Sequence, residues 1–167
     1  MTTDPPATAP IVRILTVTRG PAAAELVRDL YRQQDQIRAV AGLPVEFSGV
    51  HAFGGPVDRM VLTAAWDLIA RARPWIVVEA LGLPGPAAAV AVRALTASAT
   101  VISASPELAV RYAPLLHDLA AGHGAAFLFA GAGRPLTPLA VLALRPLGAA
   151  RAVLGDPAGG ARRPAAG

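Results

Sequence analysis

The stretch Ile-Val-Arg-Ile-Leu-Thr-Val-Thr-Arg-Gly-Pro, residues 11–21, decides the fold. Its first part is a short apolar run rich in β-branched residues, which is typical of a strand buried on both faces of a parallel sheet. The run ends at Gly20 and Pro21, and proline is favoured in the first turn of a helix. The stretch therefore predicts a strand that passes directly into a helix.

The rest of the chain repeats this alternation. After the first turn, apolar residues recur at helical spacing as far as Val40, and Gly42 supplies a stop, so we predict one amphipathic helix of about five turns. Ser105 is the predicted N-cap of a later helix that begins at Pro106. The predicted strands cover residues 11–17, 45–53, 75–78, 100–102 and 126–129, and the predicted later helices cover 57–72, 84–97 and 106–121.

Alternating strands and helices indicate βαβ crossovers, which place helices on both faces of one parallel sheet. The predicted fold class is therefore α/β, a Rossmann-like doubly wound sheet of about five strands in a single domain, with ligands expected at its carboxyl edge. We predict a flexible N-terminus over 1–9, the domain over 10–145 with a last short helix at 138–144, and a mobile tail rich in Ala, Gly, Pro and Arg over 146–167.

Composition narrows the function classes. The chain has 167 residues, of which 54% are hydrophobic, so one core is expected. Neither a long uncharged apolar span nor a basic-then-apolar N-terminus is present, which predicts a cytoplasmic protein away from membranes. Cysteine is absent and all 15 basic residues are arginine, which excludes thiolate sites and lysine chemistry. The arginines are dispersed and aromatic residues are 5%, so nucleic-acid binding is not expected.

The first strand-to-helix turn is where a G-x-G-x-x-G loop would meet a dinucleotide. Here residues 16–21 read Thr-Val-Thr-Arg-Gly-Pro. At this turn the chain resembles the N-terminal dinucleotide-binding domain of homoserine dehydrogenases. Residues 77–82, Val-Val-Glu-Ala-Leu-Gly, are similar to the family's V-V-E-L-I-G, and residues 101–106, Val-Ile-Ser-Ala-Ser-Pro, stand where the family has V-V-T-A-N-K. The resemblance covers about residues 10–140.

The resemblance implies NAD or NADP as cofactor and places Thr16, Thr18, Arg19 and Gly20 in the phosphate loop. The three glycines of the family's loop correspond to Thr16, Thr18 and Pro21. A β-branched side chain at the second position would crowd a phosphate, and proline at the third removes an N–H donor from the helix N-terminus. We therefore predict that a pyrophosphate does not bind here in the usual pose.

The resemblance also locates the family's catalytic positions. The acid that holds the ribose would follow the second strand, where this sequence has His51-Ala52-Phe53-Gly54. The family's asparagine and catalytic lysine correspond to Ser105 and Pro106, and proline has no proton to transfer. The resemblance further predicts that the family's substrate-binding and catalytic domain is missing from this chain.

Three residues are candidates for catalysis: Glu79, His51 and Ser105. Glu79 stands at the predicted end of a strand, where it acts either as a base toward a ligand or as a hydrogen-bond acceptor at a helix terminus. His51 lies at another strand end near the same edge. Arg19 either holds a phosphate or carboxylate directly or is a solvated loop arginine.

The other conspicuous residues point to structure rather than chemistry. His117 and His123 have no further ligands at metal spacing, so we predict surface positions and no metal site. From the sequence alone, neither a histidine nor an acid can be assigned as the partner of Ser103 or Ser105 in a nucleophilic triad. Trp66 and Trp75 are predicted to pack in the core or at an interface.

Three functions remain open. The first is a homoserine dehydrogenase-like pseudoenzyme, a degenerate binding or assembly module without dehydrogenase activity. The second is an enzyme, either with a repurposed Rossmann pocket or as an oxidoreductase subunit that uses a catalytic domain from another chain. The third is a homodimer in which alanine-rich helices or Trp66 form the interface. A small molecule or nucleotide is the expected partner at the carboxyl edge; no cofactor is expected, with NAD or NADP left open.

Overall fold

The computed structural model describes residues 10–130, which form one parallel sheet of five strands with five helices. The strands are β1 (Val12–Arg19), β2 (Val45–Ala52), β3 (Ile76–Ala80), β4 (Thr100–Ser103) and β5 (Phe127–Phe129). The helices are α1 (Gly20–Arg32), α2 (Gln34–Ala41), α3 (Arg59–Ala72), α4 (Pro84–Thr96) and α5 (Pro106–Gly122). The predicted Rossmann-like α/β fold is confirmed.

The order of the strands across the sheet is β2-β1-β3-β4-β5. The chain moves from β1 to one side for β2 and then to the other side for β3, so the direction reverses between β1 and β3. Loops on either side of such a reversal diverge and leave a crevice at the carboxyl ends of the strands. Here the loops that form the two walls of the crevice begin after Arg19 and Ala80, the last residues of β1 and β3.

Apolar side chains of the strands cover both faces of the sheet. On one face, Ile14 and Ile76 pack with Leu30 of α1 and Ile37 of α2. On the other face, the strands pack against α3, α4 and α5 in a second cluster. The central strands are buried on both sides, which explains why their sequences are continuous apolar runs rather than alternating ones.

The first predicted helix is in fact two. Helix α1 ends at Arg32 and α2 begins at Gln34, and the N–H of Gln33 donates to the carbonyls of Asp29 and Leu30. The single-helix prediction was wrong because the apolar period continues across the break, and glutamine carries no breaking signal. The predicted stop is confirmed: Gly42 ends α2 with a φ of 65°, a left-handed conformation that favours glycine.

The remaining element bounds agree with prediction to within about three residues, as expected for helix and strand ends. The largest consequence is at β1, which continues two residues past the predicted end, through Thr18 and Arg19. The predicted N-terminal segment 1–9, the helix at 138–144 and the tail at 146–167 lie outside the described residues. None of the helices in residues 10–130 has both the length and the apolar character needed to cross a membrane.

Candidate functional site

The carboxyl edge of the sheet brings the candidate residues to one side of the molecule. Arg19 ends β1, His51 is the second-last residue of β2, and Glu79 is the second-last residue of β3. Ser105 follows β4 directly before α5. Because all strands are parallel, these four positions lie at the same edge, around the crevice between β1 and β3.

The guanidinium of Arg19 spans the crevice. Its Nε–H donates to the carbonyl oxygen of Leu81 at 2.9 Å, in the loop after β3. Its Nη1 donates to the carbonyl oxygen of Gly55 at 3.0 Å, in the loop after β2. Three chain segments that converge at the carboxyl edge are therefore connected through one half-buried side chain. Arg19 is not a solvated loop arginine, which was one of its two interpretations from sequence.

Thr16 and Thr18 lie inside β1 rather than in the turn that follows it. Both are buried, and the hydroxyl of Thr16 donates to the carbonyl of Ser48 at 3.4 Å on β2. The chain turns from β1 into α1 at Gly20, the first residue of α1, which has a φ of 80°. A role for the two threonines in cofactor binding stays a prediction, whereas their contacts show a role in pairing β1 with β2.

His51 is held by a buried hydroxyl. Its Nδ1 lies 2.8 Å from Oγ1 of Thr18, its register partner on β1. Thr18 is fully buried and its hydroxyl has no other hydrogen bond within residues 10–130. Which of the two groups donates depends on the tautomer of the ring, and in either direction the bond gives the buried hydroxyl a partner. The ring also meets Phe53 edge-on, with centroids 4.9 Å apart.

Glu79 is the centre of a closed hydrogen-bond network. Its Oε1 accepts from the N–H of Leu81 at 2.6 Å and from the hydroxyl of Ser105 at 2.8 Å. Its Oε2 accepts from the hydroxyl of Ser103 at 2.6 Å. The hydroxyl of Ser103 in turn accepts a hydrogen bond from the backbone N–H of Ser105, and the hydroxyl of Ser105 accepts one from the backbone N–H of Gly82. Both serine hydroxyls and the N–H of Leu81 donate to the carboxylate, which is fully buried.

Burial raises the pKa of Glu79 above its ordinary value of 4.5, because desolvation disfavours the charged carboxylate. The hydrogen bonds from Ser103, Leu81 and Ser105 oppose this shift, and the nearby negative charge of Glu107 adds to it. The carboxylate accepts hydrogen bonds that join the ends of β3 and β4, rather than hydrogen bonds from the N–H groups of a helix terminus, and its role as a base toward a ligand stays a prediction.

Ser105 occupies the N-cap position of α5, as predicted, but its side chain makes no capping bond. The hydroxyl donates to Glu79 and accepts from Gly82, so it is not available to the first turn of α5. The sequence interpretation missed Ser103 as a partner of Glu79. The available signal was the spacing: Ser103 and Ser105 stand two residues apart at the end of β4, the strand that pairs with β3.

Three of the helices at this edge have a proline at their first or second position. These prolines are Pro21 in α1, Pro84 in α4 and Pro106 in α5. Each proline removes one of the free N–H groups with which a helix N-terminus binds an anion. The fourth helix, α3, is capped by its own acid: Asp58 accepts from the N–H of Val61 at 3.0 Å. Backbone donors for a phosphate are therefore reduced at every helix start along this edge.

No group of three or more metal-ligating side chains occurs within residues 10–130. His117 and His123 are exposed, as predicted, and His117 meets Phe127 edge-on at 5.5 Å. Trp75 packs against the cluster that also contains Ile76, in keeping with its predicted packing role. Trp66 on α3 is partly buried.

Comparisons with known proteins give no family assignment by sequence: no family model matches the chain, and no curated protein matches it. Solved structures do match. Homoserine dehydrogenase from S. aureus at pH 7.0 superposes with a TM-score of 0.57 at 18% identity, and that from Thiobacillus denitrificans with 0.56 at 20%. A putative homoserine dehydrogenase from Archaeoglobus fulgidus gives 0.51 at 14%.

The chain has the fold of one part of homoserine dehydrogenases. The matches cover 71% to 72% of this chain but only 33%, 29% and 42% of the three proteins, in the order given above. The resemblance drawn from residues 16–21, 77–82 and 101–106 is thus confirmed at the level of the fold. At identities of 20% or below, the likeness to homoserine dehydrogenases establishes the fold alone.

Proposed function

We propose that this chain is a Rossmann-type binding module that does not carry out hydride transfer. The observation that carries the proposal is the position of Arg19, whose guanidinium donates to Leu81 and to Gly55 across the crevice. In Rossmann domains a dinucleotide lies in this crevice, with its pyrophosphate at the start of the first helix. A dinucleotide in that pose would have to displace the arginine from both carbonyls.

The start of α1 gives further support. A pyrophosphate needs closely spaced backbone N–H groups at the helix N-terminus. Pro21 in the first turn has none, and the residue before the turn is Arg19 rather than a glycine that lets the backbone approach. The residues present do not fit a dinucleotide in its usual orientation, so we route no reaction step through one.

The candidate catalytic side chains are engaged in structure. Glu79 and Ser105 are buried and bonded to each other, and His51 is bonded to the buried Thr18. Moving a proton from Glu79 or Ser105 to a ligand would require breaking the network that joins β3 to β4. Pro106, which corresponds to the catalytic lysine in the family resemblance, has no proton to give. These features favour a binding role over a repurposed enzyme pocket.

The test is a titration of the protein with NAD and, separately, with NADP. Melting temperature and tryptophan fluorescence are followed, with a known NAD-dependent dehydrogenase as positive control. A ligand present at a hundred times its dissociation constant stabilises a protein by about 2.7 kcal/mol. We expect neither dinucleotide to produce a saturable shift, while the control enzyme responds to its own cofactor.

A saturable rise in melting temperature with either dinucleotide would contradict the proposal. The Arg19→Ala variant then shows how the dinucleotide binds. If the variant binds more tightly, the arginine blocks an otherwise competent crevice; if it binds equally, the dinucleotide avoids the crevice altogether. Assembly into a homo-oligomer stays a prediction, and sedimentation of the full chain tests it.

A further inference from the structure

We infer that the crevice binds a small oxyanion, a single phosphate or carboxylate group, on the free N–H groups of Arg19. This inference rests on the proposed function, because it assigns a ligand class to the crevice that a dinucleotide does not take.

The charge of Arg19 is not compensated by an acid. Within residues 10–130, five other arginines form ion pairs with an aspartate or glutamate within 4.0 Å; they are Arg13, Arg28, Arg32, Arg38 and Arg71. Arg19 has no such pair in the described part of the chain, as is also true of four other arginines there, and both of its hydrogen-bond partners are neutral carbonyls. Glu79, the buried acid of this edge, directs its oxygens to serine and backbone donors instead.

Arg19 also retains unused donors. A guanidinium has five N–H groups, and the two carbonyls take one from Nε and one from Nη1. Three N–H groups are left, two of them on Nη2. Charge-assisted hydrogen bonds from a guanidinium to a phosphate or carboxylate are stronger than neutral ones and are often bidentate. The bonds to Leu81 and Gly55 fix the orientation of the guanidinium before a ligand arrives, which lowers the cost of binding.

Space is available next to the free nitrogen. The position that a Cβ would occupy on Gly82 lies 3.9 Å from Nη2 of Arg19, and Gly82 has no side chain to fill it. The backbone of Gly82 has a φ of 67°, which other residues rarely adopt. Around Gly20 and Gly55, on the other two segments, a Cβ would meet no atom within 4 Å. Nη2 of the guanidinium therefore lies beside Gly82, which has no side chain to cover it.

The surrounding helices favour a negative charge but supply few donors. Helix α1 begins directly after β1, and α4 follows β3 after three intervening residues, so the positive ends of two helix dipoles lie at the crevice. Pro21 and Pro84 each remove a backbone donor from these ends. Hydrogen bonding to an anion therefore depends on Arg19, and one guanidinium matches one phosphate or carboxylate group rather than a pyrophosphate.

The test uses the full chain with two probes, inorganic phosphate and malonate, at constant ionic strength. The direct measurement is the NMR signal of the Arg19 Nε–H in the wild-type protein. In parallel, the melting temperature is followed for the wild type, for Arg19→Gln and for Arg93→Gln. Arg93 is an exposed arginine in the last turn of α4, at the opposite edge of the sheet, so its variant carries the same change of charge.

We expect a saturable shift of the Arg19 signal with at least one probe, and the probe that binds distinguishes a phosphate site from a carboxylate site. The apparent dissociation constant should rise at least tenfold in Arg19→Gln and stay within twofold of wild type in Arg93→Gln. If neither probe moves the Arg19 signal, or if both variants lose binding equally, the inference is wrong. Those results leave the proposed function standing, whereas saturable NAD or NADP binding would overturn the proposed function regardless of the anion result.

Discussion

The carboxylate of Glu79 on β3 accepts a hydrogen bond of 2.6 Å from the hydroxyl of Ser103 on β4. The two residues are register partners in the parallel pair, and both are fully buried. A buried charge is tolerated only when hydrogen bonds compensate its lost hydration. The bond therefore does more than pair two strands: it places an ionisable group beneath the loops that form the carboxyl edge.

Glu79 should make the stability of the protein depend on pH. Its pKa in the folded state is raised above 4.5, so between 4.5 and the folded-state pKa the native protein binds more protons than the unfolded chain. The contribution of Glu79 to the free energy of unfolding therefore falls as the pH rises through this window and does not change further above it. We expect Glu79→Gln to flatten this decrease, as measured by urea unfolding at a series of pH values from 4 upward.

Glu25 provides the control for this experiment. It is an exposed acid on α1, paired with Arg28 at 2.8 Å. Exposed ion pairs contribute less than about 1 kcal/mol, so Glu25→Gln should leave the decrease with pH in place. A Glu79→Gln profile that parallels the wild-type profile across the whole window would show that Glu79 does not change its protonation there.

Ser105→Ala should destabilise the fold by about 1–3 kcal/mol, because it leaves an N–H group and a carboxylate oxygen each short of a partner. The N–H is that of Gly82, and the oxygen is that of Glu79. The loss of this donor should also raise the pKa of Glu79 further, since the bond from Ser105 lowers it. Denaturant unfolding near pH 7 measures the first effect, and its pH dependence measures the second.

Thr96→Ala is the matched control for Ser105→Ala. The hydroxyl of Thr96 bonds only to carbonyls of its own helix, α4, and is exposed. Removing such a group changes stability by less than about 0.5 kcal/mol. Equal effects of the two variants would mean that the buried network around Glu79 contributes no more than a surface hydroxyl does.

Much of the fold could be predicted because local signals and tertiary environment agree. The β-branched runs became buried strands, and Pro84, Pro106 and Gly42 stand at helix ends as their chemistry favours. The break at Gln33 could not be predicted, because Leu30 and Ile37 on either side face the same core and preserve the helical period. Only the packing of two helices against β1 and β2 distinguishes one long helix from two.

The site was predicted in position but only partly in role. Arg19, His51, Glu79 and Ser105 lie at the carboxyl edge because parallel strands end there together. Their partners could not be read from the sequence: the carbonyls bound by Arg19 are 36 and 62 residues away along the chain. Main-chain carbonyls carry no residue-type signal, so an arginine bound to them has the same sequence pattern as one that faces solvent.

Gly49→Ala should destabilise the sheet by about 1–3 kcal/mol, the usual cost of overpacking a well-packed site. Gly49 on β2 is the register partner of Thr16 on β1, and a Cβ at Gly49 would overlap Oγ1 of Thr16. Thr16→Ala removes that oxygen, so the double variant should recover part of the loss. A double-mutant cycle from urea unfolding measures this coupling, and additive effects would show that the two residues do not interact.

Gly20→Ala tests whether the turn after β1 depends on glycine. Gly20 has a φ of 80°, and a Cβ there would meet no atom within 4 Å, so the cost is backbone strain alone, about 1–2 kcal/mol. Relief of that strain would rotate the peptide next to Arg19 and weaken its bonds to Leu81 and Gly55. We therefore expect lower stability together with faster exchange of the Arg19 Nε–H, the donor to the carbonyl of Leu81, measured by hydrogen exchange.

Gly122→Ala is the control for Gly20→Ala, because Gly122 is the last residue of α5 and its backbone is not left-handed. Alanine has a higher helix propensity than glycine, by up to about 1 kcal/mol, and a Cβ at Gly122 meets no atom within 4 Å. The two substitutions are chemically identical, so opposite signs would isolate the conformation of the turn as the cause. If Gly20→Ala is as stable as Gly122→Ala, the turn tolerates a side chain and the position of Arg19 does not depend on this glycine.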